Sequence, residues 1–260
     1  MTYNEEEKHK FVQVGQNLDD KNQFEFSKQY IPNAKSPTDA WIKSHEYLLE
    51  NGNKDVMNES INMSVEIEDN FDVDIKFDGV FREIFGDDRI DYASSVTFVK
   101  PTEHPFMDEL QYKQNDIKVK WNKTYWGRMI NWDNSFNQIE QVIKRLKEHK
   151  NSKTIAMSIY DPKSDGRKTM SGMPCLLSID LKPRKDGLYL TAFFRSMRIS
   201  KSGYADWFAL CELGKFLCEQ ADLKLKRITT IGGSVHLGDM NNEKKNVKEL
   251  LNVWNSMYSK

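Results

Sequence analysis

Apolar side chains fall at helical spacing through Trp41, Tyr47 and Leu48, behind the capping sequence Ser36-Pro37-Thr38-Asp39. This predicts a helix that Asn51-Gly52-Asn53 stops. Residues Ile61 to Ile67 alternate apolar and polar, the period of a strand. Val73 to Val99 is ambiguous and reads as short strands with one helical turn near Phe81 to Phe85. Pro105 to Tyr112 reads as a short helix carrying Asp108 and Glu109, and Thr124 to Arg128 as an aromatic turn. From Phe136 to Glu148, Ile139, Val142, Ile143 and Leu146 make one apolar stripe, with Lys144, Arg145 and Lys147 facing outward. Thr154 to Tyr160 reads as a strand, and the run from Asp161 to Gly166 as a turn-rich loop. Leu176 to Leu181 and Leu188 to Phe194 read as two strands, the second delivering Arg195-Ser196 at its end. A polar turn then leads to Asp206 and an apolar helix over Gly203 to Gln220, with Trp207, Leu210, Leu213 and Leu217. Ile228 to Ile231 reads as a strand running into Gly232-Gly233-Ser234-Val235-His236, and Val247 to Met257 as a closing amphipathic helix.

Helices and strands mixed in this way predict an α+β fold, a mainly antiparallel sheet with helices grouped on one side. Residues 1–37 are polar and rich in Asn, Gln, Lys and Glu, and read as a loosely ordered extension before a domain over 38–260. No apolar run is long enough for a membrane span, and the acidic start MTYNEEEKHKF is unlike a secretory signal. With 38 basic and 39 acidic residues the net charge is −1, which argues against a general nucleic-acid binder. The three cysteines lack paired spacing, so neither a disulfide framework nor a zinc site is expected, and a reducing cytoplasmic compartment is the simplest reading.

Candidate chemistry gathers at the predicted element ends. Cys175, behind Pro174, is either a nucleophile near the surface of a cleft or inert packing on a strand. A nucleophilic thiol needs a nearby cation to lower its pKa, and Arg195 at the end of the next strand is the candidate. Cys211 and Cys218 share one face of an apolar helix and read as core. Arg195-Ser196 pairs a forked donor with a hydroxyl, which suits a phosphate but equally describes a solvated strand end. Gly232-Gly233 permits close backbone approach to a ligand, or a tight turn. His236 reads as a sugar contact or a structural histidine. Glu109 serves as a general base only if buried. Together a thiol, a cation, a hydroxyl, a carboxylate and a glycine pair suit a small phosphorylated molecule.

These pieces, in this order, resemble the thymidylate synthase family over about residues 38 to 240, and the segments Asp161 to Leu190, Asp39 to Gly52 and Ile61 to Asp69 most resemble its compact archaeal-type branch. The matching pieces are Pro174-Cys175, two following strands, Arg195-Ser196, a base-reading residue ahead of an apolar helix, and Gly-Gly-x-x-His. Tyr125 to Arg128 resembles the family's Tyr-Gly turn, with Tyr125 as an aromatic wall of the site. Ser152-Lys153 stands where the family carries a phosphate clamp supplied by the partner subunit. The resemblance implies a thymidylate synthase-like fold dimerising through a sheet face. It also implies a pyrimidine nucleoside monophosphate as substrate and 5,10-methylenetetrahydrofolate as the one-carbon source. By it, Cys175 attacks C6 of the base and Glu109 is the general base. Arg195, Ser196 and Lys153 bind phosphate, while Asp206, Gly233, Ser234 and His236 complete the nucleotide site.

Two departures from the synthases point to cytosine. Asp206 stands where the synthases carry Asn, and a carboxyl accepts from the cytosine amino group and, when protonated, donates to N3. Ser234, in Gly-Ser-Val-His, resembles the cytidylate hydroxymethylases rather than the synthase's Gly-Asp-Thr-His. The expected reaction is therefore C5 hydroxymethylation of CMP or dCMP. Thymidylate synthesis on dUMP and a noncatalytic nucleotide-binding role are the alternatives. Three further departures concern neighbouring contacts. Arg198 replaces an aspartate that contacts folate, and Gly238 replaces a tyrosine on the sugar. Lys153-Thr154 replaces the two arginines of the clamp.

Overall fold

A computed structural model describes residues 30–72, 74–85, 124–166, 173–238 and 240–258. Among these, six strands form one sheet. Their order across it is β1 (Tyr30–Ala34), β2 (Ser60–Ile67), β6 (Leu225–His236), β5 (Gly187–Arg198), β4 (Leu176–Arg184) and β3 (Ile155–Ser158). The β2–β6, β5–β4 and β4–β3 pairs are antiparallel, whereas β1–β2 and β6–β5 are parallel. The sheet is thus mixed and mainly antiparallel. Strand β1 falls within the stretch that reads as an extension, and it adds an edge to the sheet with Ala34 fully buried.

The helices are α1 (Pro37–Asn51), α2 (Ile75–Phe85), α3 (Tyr125–Ile130), α4 (Gln138–Glu148), the single turn α5 (Pro162–Asp165), α6 (Tyr204–Ala221) and α7 (Met240–Tyr258). A five-residue π-helical turn, Ile199–Gly203, joins β5 to α6. Helices α1 and α6 touch each other and the sheet, and α4 touches β3 and α6, so all three cover the same face. In β5 the residues Leu188, Leu190, Ala192 and Phe194 point into that core, while the alternate residue Phe193 stays 36% exposed. The helical face is therefore the buried one and the opposite face is partly open.

Local chemistry explains the element boundaries. The Asp39 N–H donates to the Ser36 hydroxyl and the Gly52 N–H to the Leu48 carbonyl, closing both ends of α1. Thr124 caps α3 by accepting from Gly127 N–H at 2.8 Å, which makes a helix of the run expected to be an aromatic turn. Asp161 accepts from Lys163 and Ser164 and makes the expected loop one turn of helix. Ile75 to Val80 is helical rather than extended, because Phe77 and Phe81, four apart, both insert into an aromatic cluster with Trp41 and Tyr204. Gly232-Gly233 makes no turn. Strand β6 runs straight through it to His236, and β5 likewise runs beyond Arg195 to Arg198. The helix expected over 105–112, with Glu109, lies outside the described residues.

Candidate active site

Cys175 stands immediately before β4, half-buried and packed partly against the core. Its backbone is held on both sides. The Arg195 N–H donates to the Cys175 carbonyl at 2.8 Å. The Cys175 and Leu176 N–H groups both donate to the Tyr125 hydroxyl oxygen, at 3.1 and 3.3 Å. That hydroxyl also lies near enough to the Cys175 side chain to favour its thiolate. Tyr125 therefore acts through its oxygen rather than as a ring wall alone, and its own pKa rises, first through burial and then through Asp206 and Cys175.

Arg195 lies beside the thiol, as expected, but much of its guanidinium is spent on the chain leading to it. Nε donates to the Pro174 carbonyl at 2.9 Å and Nη2 to the Met173 carbonyl at 3.0 Å. The expectation that Arg195 would leave the thiol with a lowered pKa is corrected. Burial pushes the Cys175 thiol above its ordinary value, Arg195 pulls it down, Asp206 pushes it up again, and the Tyr125 hydroxyl pulls it down. The net effect favours the protonated thiol over the thiolate.

Asp206 is 7% exposed and sits in the first turn of α6, close enough to raise the pKa of both Cys175 and Tyr125. Its neighbours fix it there. Tyr204 and Trp207 are fully buried, and Trp207 Nε1 donates to Thr230 Oγ1 on β6 at 3.0 Å. The preceding π-helical turn is tied down by Trp41 Nε1, which donates to the Ile199 carbonyl at 3.0 Å. The start of α3 (Tyr125), β5 (Arg195) and the first turn of α6 (Asp206) thus converge on one thiol from 50, 20 and 31 residues away in sequence.

Ser196 and His236 come together across the parallel β5–β6 pair, with 3.4 Å between Ser196 Oγ and His236 Nε2. Gly233 serves this approach: a Cβ there would lie 3.1 Å from the Arg195 carbonyl oxygen. Ser234 is engaged otherwise, its hydroxyl donating to the Glu59 carboxylate just ahead of β2. Glu59 carries no sequence signal beyond being a lone acid before a strand, so only the fold reveals it. Lys153 is not brought to this group. It is exposed and precedes β3 level with Pro183, the far end of β4 from Cys175. That is roughly 26 Å at the usual rise per strand residue. A hollow of about 920 Å³ adjoins that far end, lined by Lys150, Arg184, Lys185 and Lys224 with Asp186 and Asp222.

The Arg198 and Gly238 departures prove to be one change. Gly238 has φ +91°, and a Cβ at that position would collide with the Arg198 guanidinium. A side chain at 238 and the arginine at 198 compete for the same space, beside His236, the register partner of Arg198. Cys211 and Cys218 are buried on α6 as expected, with thiols pushed up by burial, that of Cys218 to about 12. Among the described residues no cluster of three or more His, Cys, Asp or Glu could hold a metal. No helix among them is long and apolar enough to cross a membrane.

The model of the family described as thymidylate synthase matches residues 84–255, about two thirds of the chain. The chain belongs to the thymidylate synthase family. It is 25% identical over 213 residues to a protein of Methanococcoides burtonii provisionally assigned as thymidylate synthase, covering 79% of this chain and 88% of that protein. A protein of Methanosarcina barkeri with the same assignment is 24% identical over 216 residues, 80% and 89% of the two chains. One from Methanosarcina mazei is 31% identical over 116 residues, 45% and 52% of the two. Thymidylate synthase family members are one-carbon transferases that bind a pyrimidine nucleotide and folate, and the Cys175 cluster is this member's candidate centre for that chemistry.

Proposed function

We propose that this thymidylate synthase family member hydroxymethylates C5 of a cytidine monophosphate, CMP or dCMP. The supporting observation is the place of Asp206: a carboxyl nearly shut off from water beside the candidate nucleophile. In its acid form such a group donates to cytosine N3 and accepts from the 4-amino group. Uracil reverses both, leaving buried polar groups unpaired at about 1–3 kcal/mol each.

In this reading the Cys175 sulfur, as thiolate, bonds to C6 and the displaced π electrons make C5 nucleophilic. Tyr125 and Arg195 carry the negative charge at sulfur until it adds, and the Arg195 donors not used on Met173 and Pro174 take the substrate phosphate with Ser196. Glu109 is assigned the removal of the C5 proton by family resemblance. The family's donor, methylenetetrahydrofolate, supplies the one-carbon unit. Its fit is incomplete at one point, since a pterin edge offers N–H donors and the Arg198 guanidinium accepts none. No step is therefore assigned to that contact. Lys153 is assigned to the phosphate of the partner subunit's site, because its distance from Cys175 excludes its own.

The deciding experiment incubates purified protein with methylenetetrahydrofolate and CMP, dCMP, UMP or dUMP, and weighs the products. A hydroxymethyl group on a cytosine nucleotide is expected. Methyl transfer to dUMP with dihydrofolate formation would establish thymidylate synthesis instead. Binding of CMP without Cys175-dependent turnover would establish the noncatalytic role. Cys175→Ser is expected to abolish turnover and leave nucleotide binding by calorimetry nearly unchanged.

A further inference from the structure

The nucleophile is held at two points, and both trace to one buried ion pair. Helix α3 starts at Tyr125, whose hydroxyl takes the Cys175 and Leu176 N–H groups. One turn later on the same helix is Arg128, only 3% exposed. Its Nη1 donates to Asp165 Oδ2 at 2.6 Å and to the Ile159 carbonyl at 2.5 Å, and its Nη2 donates to Asp165 Oδ1 at 2.9 Å. The Ile159 and Tyr160 N–H groups in turn donate to the Leu177 carbonyl, at 2.8 and 3.0 Å. The contacts form a closed ring: Cys175–Leu176 to Tyr125, along α3 to Arg128, to Ile159–Tyr160, and back to Leu177.

Asp165 completes the ring rather than merely neutralising it. It is 1% exposed, and its Oδ2 also accepts from Asp161 N–H at 2.9 Å, fastening the α5 turn to the guanidinium. Gln138 clips the same helix to β3, with Nε2 donating to the Arg128 and Ser158 carbonyls at 2.9 and 2.8 Å. A bidentate arginine–carboxylate pair fixes both distance and angle, which a lysine in place of the arginine would not.

We propose that Arg128 and Asp165 are positioning residues for Cys175, holding the Tyr125 hydroxyl against the nucleophile's amide and sulfur. The proposal rests on reading Cys175 as the nucleophile, yet its test needs no substrate. The charges of Arg128 and Asp165 are not among those that act on the thiol; Arg195 and Asp206 are, so the pair works through placement.

The test follows the rate of Cys175 alkylation by iodoacetamide against pH, read by peptide mass spectrometry so that Cys211 and Cys218 are kept apart. Wild type, Asp165→Asn, Arg128→Lys, Tyr125→Phe and the double variant Asp165→Asn/Tyr125→Phe are compared, each first shown folded by circular dichroism. Loss of the Tyr125 hydroxyl removes a donor to the thiolate, so Tyr125→Phe moves the midpoint upward. Asp165→Asn and Arg128→Lys move it in the same direction by that amount or less, and Asp165→Asn adds nothing once the hydroxyl is gone. Profiles unchanged in the folded single variants overturn the proposal, as does an equal shift with and without the Tyr125 hydroxyl. Should Asp165→Asn not fold, Asp165→Glu, which keeps the charge but lengthens the arm, makes the same comparison. Loss of nucleotide turnover in the wild type would overturn the proposed function and leave this result standing.

Discussion

At the residue scale the Cys175 thiol lies between two opposed charges, and each can be removed singly. A carboxylate near a thiol disfavours the thiolate, so Asp206→Asn is expected to lower the midpoint of Cys175 alkylation, and Arg195→Met to raise it. A midpoint that stays put in Asp206→Asn would show that no charged carboxylate faces the thiol in the free protein. The same variant is expected to shift preference from cytosine toward uracil nucleotides, measured as the ratio of kcat/KM. Gly238→Tyr tests the coupled departure. Gly238→Tyr alone is expected to lose stability, through backbone strain at φ +91° and through expulsion of the Arg198 guanidinium, and Arg198→Ala in the same chain to restore only the second part in urea titrations. Additive losses would separate the two positions. The closeness of Arg195 to Cys175 was legible in sequence from the order of the two strands, whereas the Arg198–Gly238 pair was not, since those residues are forty apart and meet only through the parallel β5–β6 register.

At the element scale α1 carries a titratable group that the fold keeps uncharged. His45 is fully buried, and its Nδ1 is 2.8 Å from the Trp41 carbonyl oxygen. A carbonyl only accepts, so the proton sits on Nδ1 and Nε2 is bare. Burial lowers the His45 pKa to about 3 from 6.5. Below pH 6.5 the unfolded chain takes up a proton that the native chain refuses. Stability from this group is therefore complete above pH 6.5 and declines as pH falls toward about 3. Between pH 7 and pH 5 the loss is about 2 kcal/mol at 1.36 kcal/mol per unit. His45→Leu is expected to flatten the urea-derived stability curve by that amount over that range, and a curve of unchanged steepness would exclude His45 as the cause. Elements with strong caps and periodic apolar faces, such as α1 and α4, were legible in the chain. Those around 75–80, 125–130 and 162–165 were not, because aromatic packing and single cap bonds outside any period decided them.

At the scale of the whole molecule the sheet covers one face with helices and leaves the other partly open, with Phe193 at its surface. We propose that a second copy covers this open face, which also explains why Lys153 lies so far from its own Cys175. Phe193→Glu is expected to convert a dimer to a monomer in sedimentation velocity and to abolish turnover with it. Mixing Lys153→Ala with Cys175→Ser is expected to recover activity that neither variant has, because one hybrid site then holds both an intact thiol and an intact lysine. No recovery after subunit exchange would confine each site to a single chain.

The amino-acid sequence alone determined the α+β class and the family, and supplied the residue types of the candidate site. Those depend on local period, on cap chemistry and on the order of motifs along the chain. Only the tertiary structure decided how the site is charged and held. It buried the Cys175 thiol enough to outweigh Arg195, turned Arg195 onto the Met173 and Pro174 carbonyls, and engaged Ser234 with Glu59. It also closed the ring through Arg128 and Asp165. Desolvation and hydrogen-bond partners are set by what lies across the sheet, and strand register, unlike strand existence, is not written in any one segment.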